Sequence, residues 1–201
     1  MEPTRVIIMR KVSKAILSFF NYHIDTQNIP VETQKCVLLF APHTSWRDFI
    51  IGKLALHAMG VKTAFLIKKE MFFFPFNYLL KAAGAHPVNR QNPRHFMDDT
   101  LKIIQTHEKI ALLISPEGTR KKVKWKRGFY SIATQANIPI VLGYLDYVSR
   151  KGGVGKAFYP TGDYEKDLQE IEKFYYGMRG RFSGQFNLEN KPYAHPDWLQ
   201  K

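Results

Sequence analysis

Three short apolar runs constrain this chain more than any other feature. Residues 36–41 (CVLLFA), 110–114 (IALLI) and 139–144 (PIVLGY) are strand-length and free of charge. Continuous runs of this kind suit strands buried on both faces. Helix signals fall between them. Ser45 begins a segment reaching to about residue 59 and ended by Gly60, and Asn92-Pro93 begins one reaching to about 107. Asparagine caps a helix well, and proline suits its first position. Residues 128–137 and 163–176 give two further helices, and residues 62–67, 153–159 and a short stretch before Arg90 give further strands. Strands alternating with helices at this spacing predict a single α/β domain, with a largely parallel or mixed central sheet flanked by helices. The expected division is an amphipathic helix and connection over residues 1–30, the domain over 31–180 and a loosely ordered tail over 181–201.

In such folds ligands collect beyond the carboxyl ends of the strands. The loop after residue 41 holds His43, Ser45 and Asp48. Ser45 and Asp48 have the spacing of a capping box, which explains Asp48 structurally. His43 can reach Asp48 only by folding back over the first turn, and an imidazole held by a carboxylate can take a proton from an alcohol. The loop after residue 114 reads Ser115-Pro116-Glu117-Gly118-Thr119-Arg120. It is open to two readings, a solvated surface turn or an anion site with a bidentate arginine. A basic and aromatic stretch follows, ending Trp125-Lys126-Arg127.

Charge narrows the partner class. Thirty Lys and Arg against 17 Asp and Glu give a formal charge of +13, favouring an anionic partner such as nucleic acid, an anionic membrane or a phosphorylated substrate. The single cysteine, Cys36, excludes a disulfide scaffold and a cysteine-based zinc site, and its strand position predicts an inert thiol. No metal site is expected. The uncharged run 128–145 contains Ser131, Thr134, Gln135, Asn137 and Pro139, so it reads as helix, turn and strand. No transmembrane helix is expected. Over residues 5–20, Ile8, Met9, Val12, Ala15, Ile16, Phe19 and Phe20 share one face, with Arg10, Lys11, Lys14 and Ser18 opposite. That helix either docks on the core or lies in a membrane interface.

Taken in order, these segments resemble the lysophospholipid acyltransferase family. Its first signature, a histidine and an aspartate separated by four residues, is matched by His43 and Asp48. Its second, a glycine, a short apolar stretch and an arginine, is similar to Gly84 through Arg90. Its third, Glu-Gly-Thr-Arg, stands intact as Glu117, Gly118, Thr119 and Arg120 after Pro116. Its fourth resembles Ile138-Pro139-Ile140-Val141, and Lys68 with Glu70 matches a common lysine-glutamate pair. Pro42 and Asn89 depart from the asparagine and the acid frequent at those places.

The resemblance implies acyl transfer from acyl-CoA or acyl carrier protein to a lysophospholipid hydroxyl, with no cofactor beyond that co-substrate. The first acceptor it suggests is 1-acylglycerol-3-phosphate, giving phosphatidic acid; another lysolipid, such as a lyso-aminolipid, is the alternative. It implies His43 as general base supported by Asp48, and an acceptor phosphate site from Arg90, Glu117, Gly118, Thr119 and Arg120. Lys68 and Lys126 are further candidates to contact the donor or a phosphate. The expected setting is peripheral, on the cytoplasmic face of an anionic membrane, without nucleic acid. A catalytically silent membrane-binding or nucleic-acid-binding protein is the competing class.

Overall fold

The computed structural model describes residues 4–89, 92–120 and 124–192. Its elements run α1 (Thr4–Phe19), β1 (His23–Ile24), β2 (Lys35–Ala41), α2 (Trp46–Met59), β3 (Thr63–Lys68), α3 (Phe76–Ala82), β4 (Ala85–Val88), α4 (Pro93–Thr106), β5 (Ile110–Ile114), α5 (Gly128–Ala136), β6 (Ile140–Asp146), β7 (Lys151–Phe158) and α6 (Tyr164–Tyr175). The local stop and start signals act as expected. Ser45 and Asp48 form a reciprocal capping box at α2, and Gly60 ends that helix at φ 77°. Asn92 caps α4, with Pro93 at its first position. The two-residue β1 and the aromatic α3 carry no clear sequence signal.

One seven-stranded sheet has the order β1-β7-β6-β2-β5-β3-β4. β2, β3, β4, β5 and β6 are mutually parallel, β7 runs antiparallel to β6, and β1 pairs parallel with β7. β2 therefore lies between β5 and β6. Its alternate residues face opposite layers. Val37, Leu39 and Ala41 join Ile132, Ile171 and Phe174 in one core, while Cys36, Leu38 and Phe40 meet residues of α2 on the other side. Crossovers between parallel strands are right-handed. α2 and α3 advance across the sheet in one direction and share a face, whereas α4 and α5 return in the other and cover the opposite face. The sheet is a mixed one flanked by helices, in a single α/β domain.

α1 docks on α2, but not through its widest apolar face. Leu17 and Ser13 are buried, and Arg10 is half-buried. The Ser13 hydroxyl meets His57 Nδ1 at 2.9 Å, and Arg10 donates to the carbonyl of Met59 at 3.2 Å, an end-of-helix acceptor that α2 cannot satisfy itself. Arg10 thus leaves the exposed polar side expected for it. Ile8, Met9, Val12, Ile16, Phe19 and Phe20 are left exposed.

Of the segment expected as a loosely ordered tail, residues 193–201 lie outside the described residues, whereas residues 186–189 return to the domain. Phe186 is fully buried and Leu188 nearly so, with the Phe186 ring 6.5 Å from that of Trp125. Among the described residues no helix is long and apolar enough to cross a membrane.

Candidate active site

The parallel strands bring their following loops to one edge of the sheet. β2 delivers His43 and Asp48, and its neighbours β5 and β6 deliver Glu117 and Tyr147 on either side. Asp48 is fully buried at the first turn of α2. Its Oδ2 accepts from the backbone N–H groups of Thr44 and Ser45, both at 2.7 Å. The same oxygen lies 3.4 Å from Nδ1 of His43, whose side chain is one-quarter exposed (25%). The capping carboxylate is therefore also the imidazole's neighbour, so the structural and the chemical reading of Asp48 describe one group. With Nδ1 turned inward, Nε2 is the ring nitrogen left for a ligand.

Glu117 is buried (2% exposed), unlike a residue of a solvated turn. Its Oε2 accepts from the His43 backbone N–H at 3.0 Å and from the Ser115 hydroxyl at 3.4 Å, while its Oε1 has no hydrogen-bond partner. Burial pushes its carboxyl up to about 8, against the opposing effect of those two hydrogen bonds. Gly118 follows at φ 63°, and the Lys126 side chain fills the space a Cβ would enter, with Nζ 3.1 Å from that position. The Lys126 backbone N–H closes the loop on the Pro116 carbonyl at 2.8 Å. Arg120 is exposed at the mouth of this loop, Thr119 is partly so, and Lys68 is exposed at the end of β3. Arg90 lies outside the described residues.

Three contributors escape a reading of local sequence. Tyr147 donates its hydroxyl proton to Asp48 Oδ1 at 2.5 Å across 99 positions of chain. Gly180 sits so close to Thr44 that an added Cβ would fall 2.4 Å from its side chain. Gln185, with its amide nitrogen turned inward, donates to the carbonyls of Arg120 (2.7 Å) and Thr44 (3.2 Å), tying the two loops together. Only the strand order and the returning C-terminal segment reveal these partners.

The family model described as "Acyltransferase" matches residues 22–142. The 1-acyl-sn-glycerol-3-phosphate acyltransferase of Streptococcus pneumoniae (strain ATCC BAA-255 / R6) is 27% identical over 139 residues, covering 68% of this chain and 51% of the relative. The protein of the same name from Cocos nucifera is 34% identical over 86 residues, covering 39% of this chain and 28% of that one. The chain thus spans about half the length of the bacterial relative and less of the plant one. Among solved structures, the crystal structure of the 1-acyl-sn-glycerophosphate (LPA) acyltransferase PlsC from Thermotoga maritima superposes with a TM-score of 0.58 at 17% identity, over 84% of this chain and 75% of that one. At that identity the likeness is one of fold.

Proposed function

The chain belongs to the acyltransferase family, and from that premise we propose that it moves a fatty acyl group from a thioester to the free hydroxyl of a lysophospholipid. The observation carrying this reading is the partly exposed His43 imidazole, set 3.4 Å from a buried Asp48 and flanked by the Glu117–Arg120 loop. His43 Nε2 takes the proton of the acceptor hydroxyl as its oxygen attacks the thioester carbonyl. The imidazolium is supported by Asp48 through Nδ1. The tetrahedral adduct then collapses, the carbon–sulfur bond breaks, and the proton on Nε2 passes to the departing thiolate. The alcohol is itself the nucleophile, so no covalent acyl-enzyme is needed, and Cys36, buried with its thiol pushed up to about 12, takes no part.

The acceptor most in keeping with the names of the relatives is 1-acylglycerol-3-phosphate, giving phosphatidic acid. Arg120, which is exposed, and Arg90 of the second signature are assigned to its phosphate, with Gly118 and Thr119 shaping the approach and Lys126 and Lys68 as further cations. The donor is acyl-CoA or acyl carrier protein. Glu117 contributes by holding the His43 backbone rather than by meeting the phosphate directly.

A lipid surface is the proposed setting, at the cytoplasmic face. α1 packs on α2, and α2 and α3 lie on one face of the sheet. Trp46 and Ile50 of α2 and Phe73, Phe74, Phe76, Tyr78 and Leu79 around α3 are exposed, as are the outward residues of α1. Lys11 and Lys14 of α1 are also exposed, which suits anionic headgroups. Purified protein supplied with acyl-CoA or acyl carrier protein donors and a panel of lysolipids, with products read by mass spectrometry, tests the reading. Phosphatidic acid as the dominant product supports it, another acylated lysolipid reassigns the acceptor, and no transfer from either donor refutes it.

A further inference from the structure

We infer that Tyr147 is a positioning residue of the His43–Asp48 pair, its phenol setting how strongly Asp48 supports a protonated imidazole. This rests on the proton-handling role proposed for that pair. The two carboxylate oxygens of Asp48 have different partners. Oδ2 faces the backbone donors of Thr44 and Ser45 and the His43 ring, whereas Oδ1 accepts from Tyr147. A capping box accounts for the Ser45 bond but needs nothing from Tyr147. The bond exists because β6 adjoins β2, which puts the residue after β6 beside the first turn of α2.

The phenol is braced for this contact. The Tyr147 backbone N–H donates to the Arg179 carbonyl at 3.0 Å, and the Arg179 N–H donates in turn to Asp146 Oδ1 at 3.1 Å. Tyr22 packs edge-on against the Tyr147 ring, with centroids 6.1 Å apart. Burial, then the bond to Asp48, keep the phenol protonated and so able to donate. Among the described residues, the titratable groups that act on the pair or its phenol include Glu117 after β5, Tyr22 after α1, with Arg150 beside it, and Arg181 on the C-terminal segment.

A donor on Oδ1 withdraws negative charge from the carboxylate. Without it more charge rests on Oδ2, and the adjacent imidazole holds a proton more readily. A base already protonated cannot accept the acceptor's proton. Tyr147 itself touches no reacting atom, and its effect passes through Asp48.

Tyr147→Phe deletes only the hydroxyl. The acid limb of kcat/KM is expected to move up by about 0.5–1 pH unit, and kcat near neutral pH to fall about threefold to tenfold with acceptor KM nearly unchanged. The His43 imidazole signals, followed by NMR without turnover, should show their midpoint moving the same way. Fluorotyrosine placed at position 147 strengthens the donor and should move both midpoints down, which keeps the test intact if the phenylalanine variant folds poorly. Unshifted midpoints in both variants overturn the inference, even if kcat falls. A shifted NMR midpoint in a protein that transfers no acyl group upholds it while refuting the proposed function; transfer with unshifted midpoints does the reverse.

Discussion

Replacing Glu117 by glutamine turns its burial into a measurable slope of stability against pH. Burial raises the Glu117 carboxyl from 4.5 to about 8. Across that span the folded protein keeps a proton that the unfolded chain has released. Stability falls with rising pH wherever the folded state binds more protons. The Glu117 contribution is therefore intact below 4.5 and is lost progressively as pH climbs to about 8. The full span of 8 − 4.5 = 3.5 pH units is worth roughly 5 kcal/mol at about 1.4 kcal/mol per unit. About 3 kcal/mol of this falls between roughly pH 5 and pH 8.

Glutamine keeps a carbonyl oxygen for the His43 and Ser115 donors and does not titrate. Its amide takes the place of Oε1, which has no hydrogen-bond partner, so an unsatisfied amide costs about 1–3 kcal/mol at every pH. The difference between the two pH values cancels that constant cost. Urea unfolding of wild type and Glu117→Gln, each at about pH 5 and pH 8, reads it out. Between those conditions the wild type should lose about 3 kcal/mol more stability than the variant. Parallel losses would refute a buried, proton-holding Glu117.

Other perturbations probe the surroundings. Arg120→Ala should raise acceptor KM at least about tenfold and leave donor KM nearly unchanged; initial rates against each substrate separate the two. Gly180→Ala drives a methyl into the Thr44 side chain, so it should cost about 1–3 kcal/mol of stability and lower kcat through the displaced His43 loop, as shown by thermal melts beside turnover assays. Phe19→Glu combined with Phe74→Glu places charge on two of the most exposed aromatic side chains. Sedimentation with anionic vesicles should show binding weakened at least about tenfold while the fold is retained.

Legibility in the sequence followed the range of the forces. The Ser45–Asp48 box, the Gly60 stop and the Asn92-Pro93 start act within a few residues, and each stands where local chemistry places it. The charge-free strands at 36–41 and 110–114 were readable because both faces are buried in the sheet. α1 misled in one respect: amphipathicity marks its widest apolar stripe, whereas docking uses Leu17 together with Arg10 and Ser13, whose hydrogen-bond partners lie more than forty residues away on α2. Phe186 and Leu188 sit in an irregular segment without period, so nothing local announced their burial. At the site, His43, Asp48 and Glu117 were legible as motif residues. Their mutual contacts and the ties from Tyr147 and Gln185 were not, because sheet order and the returning C-terminal segment create them.

In the proposed reaction His43 moves the proton during acyl transfer. His43 is partly exposed, and its backbone N–H, rather than its ring, binds Glu117, so His43→Ala should retain the fold. With purified protein, labelled acyl donor and 1-acylglycerol-3-phosphate, the expected result is normal circular dichroism and melting with turnover reduced at least about a hundredfold. A folded His43→Ala protein that transfers the acyl group at close to the wild-type rate would contradict it.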